Sequence, residues 1–208
     1  MHSTVFSPDG RYVFVQDLGA DKIYSYRYTP DGSRGLIGPT DARYTLVPPG
    51  TGPRHMVFAP GGRFAYVTNE PKGSVDVYAY DDGTLTHRQN VAMSAPGFHG
   101  QQGGGALHFS PDGRFLYVSN RGDANEIVQY AVDPANGQLS FVSRQSSLGR
   151  TPREFLIDPT GKWLIVGNQD SGSFYVFRRD VASGRLDPNA HRVELSRPVD
   201  FKLVPIAP

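Results

Sequence analysis

A short segment recurs four times along this chain, and its period limits the possible fold more than any other feature of the sequence. Each copy carries a proline, a glycine two residues later, and then a run of β-branched and aromatic residues. The copies lie about fifty residues apart, a spacing typical of architectures built from repeated units. The four prolines are Pro8, Pro60, Pro111 and Pro159. A fifth, partial copy begins at Val199.

Each repeat has the pattern of four short antiparallel strands. The proline-glycine turn separates two β-rich runs, a second polar turn leads to a third run, and a fourth run follows another glycine. Four strands in about fifty residues make one blade of a β-propeller, and no segment has a sustained helical period. A β-sandwich is the alternative architecture, but sandwiches do not require near-identical repeats. We therefore predict an all-β propeller with four four-stranded blades over residues 2–48, 53–93, 104–148 and 152–195, and a closing strand over 198–205.

The composition excludes several classes of function. A net charge of +1 creates no field that attracts nucleic acid or an anionic membrane, and no apolar run is long enough to span a bilayer. The absence of cysteine excludes disulfides and thiolate nucleophiles, and no spacing of histidines or acidic residues is typical of a metal site. The first residues lack the pattern of a signal peptide. We expect a cytoplasmic protein that uses no metal or cofactor and binds neither nucleic acid nor membrane.

The turns predict which residues face each other in the first hairpin of every blade. If these hairpins are the inner strands of successive blades, their open ends surround one mouth of the central channel. The facing pairs predicted at the open ends are His2 with Asp17, Arg54 with Asn69, His55 with Thr68, Gly105 with Asn120, and Arg153 with Asn168. The side chains expected at this mouth are His2, Asp17, Arg54, His55, Asn69, Glu70, Asn120, Arg121, Arg153, Glu154, Asn168, Gln169 and Asp170.

These side chains fit chemistry on a small anionic substrate. An imidazole such as His2 or a carboxylate such as Glu70 can activate water. Arginine offers forked donors to an oxyanion, a carboxylate or a phosphate. The structural alternative is an ion pair, for Arg121 with Asp123 and for Arg153 with Glu154.

Two further features near the mouth have an ordinary structural interpretation. His108 lies three residues before Pro111, in the middle of a predicted strand, and we expect it to be a packed structural histidine. The glycine-rich stretch 94–105 feeds the third inner strand and should pass over the mouth. We interpret it as a flexible loop, with a lid as the alternative.

At the same residues the sequence resembles a known family. The segments that carry the resemblance are Gly52-Pro53-Arg54-His55-Met56, Tyr66-Val67-Thr68-Asn69-Glu70, Ser119-Asn120-Arg121 and Thr151-Pro152-Arg153. In this order they are similar to the seven-bladed lactonase family, which contains 6-phosphogluconolactonases and fungal carboxymuconate cyclases. The resemblance extends from His2 to the segment 197–202.

The resemblance implies a reaction and a set of site residues. The catalytic residues expected from it are His2, Arg54 and Glu70, and it implies Arg121 and Arg153 as anion contacts. The position of His55, Asn69 and Gln169 at the same mouth adds them to the predicted substrate contacts. The implied reaction is hydrolysis of a small anionic sugar lactone, as by 6-phosphogluconolactonase, with water as the nucleophile and no cofactor. Two alternatives stay open: a carboxymuconate-type lactonising enzyme, and a non-enzymatic propeller that binds a partner or forms a surface repeat.

The number of repeats differs from that of the family. The family has seven blades, whereas four repeats and a closing strand are predicted here. We therefore interpret the chain as the C-terminal part of a longer protein, or as the product of a misplaced start codon. Open blade edges favour self-association, so we expect that the chain of 208 residues does not form a stable monomer by itself.

Overall fold

The computed structural model describes residues 1–31 and 43–204, which form four antiparallel β-sheets of four strands each. Strands that are consecutive in sequence are neighbours in every sheet, which is the topology of a propeller blade and confirms the predicted fold. The strands are β1 (Ser3–Phe6), β2 (Tyr12–Asp17), β3 (Lys22–Arg27), β4 (Arg43–Leu46), β5 (Pro53–Phe58), β6 (Phe64–Asn69), β7 (Ser74–Asp81), β8 (Thr84–Ala92), β9 (Gln102–Phe109), β10 (Phe115–Gly122), β11 (Glu126–Val132), β12 (Leu139–Ser146), β13 (Pro152–Ile157), β14 (Trp163–Asn168), β15 (Ser173–Arg178) and β16 (His191–Glu194).

The first strand of each sheet is the innermost strand. β1 contacts β5, β5 contacts β9, and β9 contacts β13, so the first strands of successive sheets stand side by side. The fourth strands lie at the opposite edges, where most side chains of β4, β8 and β16 are exposed. The described residues contain one short helix, the 3₁₀ turn Gln169–Ser171. No helix among them is long and apolar enough to cross a membrane.

The hydrophobic core lies between neighbouring sheets, in three clusters. The first two sheets meet around Phe14 and Tyr78, the second and third around Tyr66 and Leu116, and the third and fourth around Phe155. Each large apolar side chain that is buried there contributes about 1.5–3 kcal/mol. The second strands β2, β6 and β10 are buried on both faces, which explains why their apolar residues form continuous runs instead of alternating with polar ones.

The recurring turn of the sequence has a packing role. Gly62 and Gly113 have positive φ angles of 73° and 70°, which glycine adopts without steric cost. Each also lies against the proline of the preceding turn. A Cβ atom added at Gly113 would lie 2.8 Å from Cγ of Pro60, and one added at Gly62 would lie 3.0 Å from Cβ of Pro8. The proline and the glycine recur together because each proline packs on the glycine of the next sheet.

Neighbouring sheets also meet at another point. An aromatic residue in the second strand of one sheet packs on the glycine that precedes the fourth strand of the next sheet. The three pairs are Tyr12 with Gly83, Phe64 with Gly137, and Phe115 with Gly184. Nearby, the hydroxyl of Tyr66 donates a hydrogen bond to the carbonyl of Gly137 at 2.7 Å. Trp163 occupies the corresponding position in the fourth sheet, and it is 45% exposed because no further sheet among the described residues covers it.

The predicted closing strand over 198–205 is not formed by the part that the structure describes. Residues 198–204 pair with no strand, and Pro205 lies outside the described residues. A strand requires a ladder partner, and this segment forms a ladder with none of the described strands. Instead, Phe201 packs against Phe174 with ring centroids 5.9 Å apart, and its ring lies 2.8 Å from where a Cβ of Gly167 would stand. The segment therefore folds onto the fourth sheet.

Candidate active site

Two arginines at the mouth lie in β-bulges. The ladder between β5 and β6 shifts between Pro53 and His55, so Arg54 is an extra residue, and the ladder between β13 and β14 shifts in the same way around Arg153. The predicted pairing of Arg54 with Asn69 is therefore wrong, and so is that of Arg153 with Asn168. His55 does face Thr68 as predicted. Both bulges follow a proline, Pro53 or Pro152. Within sheets, proline is confined to edges, strand starts and bulges. These two prolines were therefore a signal in the sequence for the bulges.

The other two inner hairpins differ from each other. In the first sheet Ser3 pairs with Gln16, in the predicted register, and the backbone N–H of His2 donates to the carbonyl of Gln16 at 2.7 Å. In the third sheet a bulge pairs Asn120 with Gly104 in place of the predicted Gly105. Strand β9 also begins at Gln102, before the predicted blade start at residue 104. Glycine is required at position 104 of this strand, because a Cβ there would lie 2.7 Å from the carbonyl oxygen of Asn69.

Glu70 bridges two arginines at the mouth. Its Oε2 accepts a hydrogen bond from Nε of Arg54 at 2.9 Å, and its Oε1 pairs with Nη2 of Arg121 at 2.9 Å. The same Nη2 donates to the carbonyl of Gly104 at 2.9 Å. Burial, followed by the charge of Arg121, lowers the pKa of Arg54 to about 10, and Glu70 acts in the opposite direction. Arg54 therefore stays charged at neutral pH, and Glu70 compensates that buried charge.

Two histidines lie beside this ion pair. The rings of His2 and His55 have centroids 5.1 Å apart, and Nη1 of Arg54 lies 3.2 Å from Nδ1 and 3.1 Å from Nε2 of His55. Burial, followed by the charge of Arg54, lowers the pKa of His55 to about 3. The same two causes lower the pKa of His2 below 6.5. Both imidazoles are therefore neutral at pH 7, and a neutral imidazole can accept a hydrogen bond.

Arg153 is a cation without a bonded partner at this mouth. It is partly buried, and its guanidinium makes no hydrogen bond or ion pair with any residue that the structure describes. Its charge nevertheless lowers the pKa of both His2 and Arg54, so it lies near them. The structure therefore brings His2, Arg54, Glu70 and Arg153 to one opening, together with His55 and Arg121.

Asn69 does not face the opening. Its side chain is fully buried and donates to Oγ of Ser74 at 3.0 Å and to Oδ2 of Asp76 at 2.9 Å, so it stabilises the inside of the second sheet. Gln169 lies one residue after Asn168, as Glu70 lies one residue after Asn69. Gln169 is partly buried, and its backbone N–H donates to the carbonyl of Thr151 at 3.0 Å.

The structure differs from the sequence-based expectations at His108 and at the expected arginine pairs. Nε2 of His108 lies 2.7 Å from Oε1 of Glu154, and the histidine side chain is 41% exposed, so it is not a packed core residue. Glu154 thus pairs with His108 and not with Arg153. Arg121 pairs with Glu70, while Asp123 accepts a hydrogen bond from the backbone N–H of Gln101 at 2.8 Å.

A cavity opens beside the bridging carboxylate. Its volume is about 330 Å³, and its lining includes Leu18, Glu70, Gln102, Arg121 and Thr151. This volume is in the range of sites that bind small molecules. Within residues 1–31 and 43–204, no group of three or more histidine or acidic side chains is arranged to hold a metal ion. The arrangement offers cations, neutral imidazoles and space, which suits acid–base chemistry on a small anionic or polar molecule.

Comparison with known proteins gives consistent matches along the chain. The sequence profile described as "Lactonase, 7-bladed beta-propeller" matches residues 1–203. A protein named 6-phosphogluconolactonase from Formosa agariphila is 38% identical over 197 residues, which are 89% of this chain and 52% of that protein. A protein of the same name from Bacillus subtilis is 35% identical, with coverage of 98% of this chain and 57% of that protein.

Solved structures agree with the sequence matches. The structure of the Pseudomonas aeruginosa protein named periplasmic gluconolactonase, PpgL, is 46% identical in sequence, with a TM-score of 0.94 and coverage of 99% of this chain and 57% of that chain. The chain thus spans just over half the length of the relatives it matches. The profile match over nearly the whole sequence shows that this chain belongs to the lactonase family of seven-bladed β-propellers.

Proposed function

We propose that the protein hydrolyses a sugar lactone by adding water at the mouth of the channel. The names of the relatives, 6-phosphogluconolactonase and gluconolactonase, support this reaction class. The observation that carries the proposal is the carboxylate of Glu70, which holds the guanidinium groups of Arg54 and Arg121 beside the imidazoles of His2 and His55.

His2 is the base in this proposal. Its lowered pKa keeps the ring neutral at pH 7, so it can take a proton from water as the water oxygen bonds to the lactone carbonyl carbon. The negative charge that develops on the carbonyl oxygen is stabilised by a guanidinium of the Arg54 and Arg121 pair. The bond between the carbonyl carbon and the ring oxygen then breaks, and the ring oxygen gains a proton. The product is the open-chain hydroxy acid.

Glu70 has a positioning role in this mechanism. From the sequence we expected it to be an alternative base, but each of its oxygens is engaged by a guanidinium N–H group at 2.9 Å. A carboxylate bound in this way holds the two arginines in place. We therefore assign the proton transfer from water to His2 and not to Glu70.

Arg153 is the group that we assign to the anionic part of the substrate. It has no ion-pair partner among the described residues, and its forked donors match a phosphate or a carboxylate. The names of the relatives give two substrates to compare, 6-phosphoglucono-1,5-lactone and glucono-1,5-lactone. If Arg153 binds a phosphate, Arg153→Ala raises KM for the phosphorylated lactone more than for the unphosphorylated one.

The test is the rate of lactone opening above the uncatalysed background, measured with the protein as its natural gene encodes it. We expect His2→Gln and Arg54→Ala each to lower kcat by about 10²-fold or more. The control is Arg192→Ala, which removes an exposed ion pair with Glu194 and should retain the wild-type rate. Unchanged rates in both site variants, or no hydrolysis of either lactone by the unaltered protein, would contradict the proposal.

The compartment is a separate proposal. We propose a cytoplasmic location, and the alternative is the periplasm, because the similar Pseudomonas aeruginosa protein is named as periplasmic. Fractionation of the natural host, followed by immunodetection, tests the location. Recovery in a periplasmic or extracellular fraction would overturn the cytoplasmic assignment.

A further inference from the structure

A second histidine–carboxylate pair lies near the mouth, and the mechanism above does not use it. His108 extends from β9 and Glu154 from β13, two adjacent inner strands, with Nε2 of His108 2.7 Å from Oε1 of Glu154. The carboxylate side chain is 15% exposed and the imidazole 41% exposed. The pair is therefore anchored on its carboxylate side and open on its imidazole side.

The orientation of the pair is fixed by its neighbours. Oε1 of Glu154 also accepts a hydrogen bond from the backbone N–H of Phe155 at 3.0 Å. The ring of Phe155 stands perpendicular to the imidazole of His108, with centroids 4.9 Å apart. With Nε2 directed at Glu154, the other ring nitrogen, Nδ1, has no hydrogen-bond partner in the described part of the chain. Nδ1 is therefore the atom that can exchange a proton with a bound molecule.

The position of His108 in the repeat is unusual. The residues at the same distance before the other three turn prolines are Val5, Val57 and Leu156, so His108 is the polar member of an otherwise apolar layer. A polar group in such a layer costs free energy unless it has a partner, and a valine would pack there without this cost. The charge of His108 contributes to the lowered pKa of His55, which shows that it lies close to the histidines at the mouth.

We propose that His108 is the general acid that protonates the ring oxygen when the lactone opens, and that Glu154 positions it. This inference rests on the proposed lactone hydrolysis. In that reaction water adds to the carbonyl carbon and gives a proton to His2, and the bond between the carbonyl carbon and the ring oxygen breaks. The imidazolium of His108 gives its Nδ1 proton to the departing alkoxide and keeps its Nε2 proton towards Glu154. His2 then releases its proton to solvent, and His108 takes up a proton from solvent. The net reaction is the conversion of lactone and water into the hydroxy acid.

The decisive experiment compares two lactones that differ in one atom. Glucono-1,5-lactone expels an alkoxide, which needs a proton as it leaves. Its analogue with sulfur in place of the ring oxygen expels a thiolate. A thiolate can leave without gaining a proton, because the pKa of a thiol is about 8.5. Only the oxygen lactone therefore requires the general acid. The ratio of the two rates does not depend on how much of a variant is folded, so a variant of reduced stability remains informative.

We expect His108→Gln to lower kcat on the oxygen lactone by about 10²-fold or more and to lower kcat on the sulfur analogue much less. Glu154→Gln should change the ratio in the same direction, by a smaller factor, because glutamine still accepts the hydrogen bond but carries no charge. The matched control is His87→Gln, since His87 pairs with Asp76 at 3.1 Å at the outer edge of the second sheet. The control should leave the ratio unchanged.

The outcomes separate this inference from the proposed function. If the unaltered protein hydrolyses neither lactone, the proposed function fails, and this inference fails with it. If the unaltered protein is active but His108→Gln lowers both rates equally, or neither rate, only the role of His108 is overturned. An equal loss would show that His108 supports the structure of the site without donating the proton.

Discussion

The guanidinium side chain of Arg54 is 2% exposed, while the carboxylate side chain of Glu70, which pairs with it at 2.9 Å, is 33% exposed. The carboxylate therefore keeps some contact with water, while the cation depends on its protein partners. Glu70 also pairs with Arg121, so one partly exposed carboxylate compensates two arginines. Removing its charge affects both.

Glu70→Gln should reduce both stability and activity. Glutamine can accept one hydrogen bond but cannot neutralise the buried charge, so we expect a loss of about 1–3 kcal/mol in the free energy of unfolding. Misplaced guanidinium groups should also lower kcat by about 10²-fold. Denaturant unfolding and lactone hydrolysis measure the two effects. Glu194→Gln, in an exposed pair with Arg192, should change stability by less than about 0.5 kcal/mol. Equal effects of the two substitutions would contradict the role of Glu70.

The buried His55 should make the fold sensitive to acid. Its pKa is about 3 in the folded protein and near 6.5 when the chain is unfolded. The unfolded state therefore binds a proton first as the pH falls, and the stability contributed by the neutral ring is lost between about pH 6.5 and 3. His55→Gln removes this titration and should make unfolding free energy less dependent on pH in that window. Parallel pH profiles for wild type and His55→Gln would refute the prediction.

Gly113→Ala should destabilise the contact between the second and third sheets. Alanine at this position has the strain of a positive φ of 70°, and its Cβ would lie 2.8 Å from Cγ of Pro60. Gly10→Ala is the matched control, since Gly10 has a φ of 68° and open space where a Cβ would stand. The strain of about 1 kcal/mol is common to both. Denaturant unfolding measures the loss in the free energy of unfolding for both variants. The additional loss in Gly113→Ala over Gly10→Ala is the contribution of the packing contact. Equal losses would show that the turn glycine is required only for its backbone conformation.

Trp163 should mediate association when the chain of 208 residues is expressed by itself. The rings at the corresponding positions of the first three sheets are covered by the next sheet, whereas Trp163 is 45% exposed. We expect light scattering to show particles larger than a monomer, and Trp163→Gln to reduce their fraction. Phe141→Gln, at a 53% exposed residue of β12, is the control. A monodisperse wild-type monomer with a sharp thermal transition would contradict the prediction.

The repeat made the fold predictable because its residues serve the same contact in each sheet. The pairs Pro8 with Gly62 and Pro60 with Gly113 show this directly. The common orientation of the hairpins also places His2 and Arg153 at one opening, as predicted. These inferences required only periodicity and a count of residues.

Three details of the site could not be obtained by that count. The bulge at Arg54 changes which residues face each other at the end of the strand. A count that assumes an uninterrupted register does not predict a bulge. The side chain of Asn69 points into its own sheet, because Ser74 and Asp76 accept hydrogen bonds from it there. The alternation of residues along a strand does not predict these hydrogen bonds. The pairing of His108 with Glu154 joins residues of two different sheets, and it depends on how closely the sheets approach.

The contacts of turn glycines with prolines lie at one end of the inner hairpins, and the reactive side chains lie at the other. Successive sheets are therefore in contact through their turns, while the strand ends that carry the reactive side chains lie at a distance from these contacts. A small change in the angle between two sheets at the turns becomes a larger displacement at the open ends of the hairpins. The distance between the arginines of different sheets, and so the size of the molecule that fits between them, can be tuned by residues that never touch that molecule.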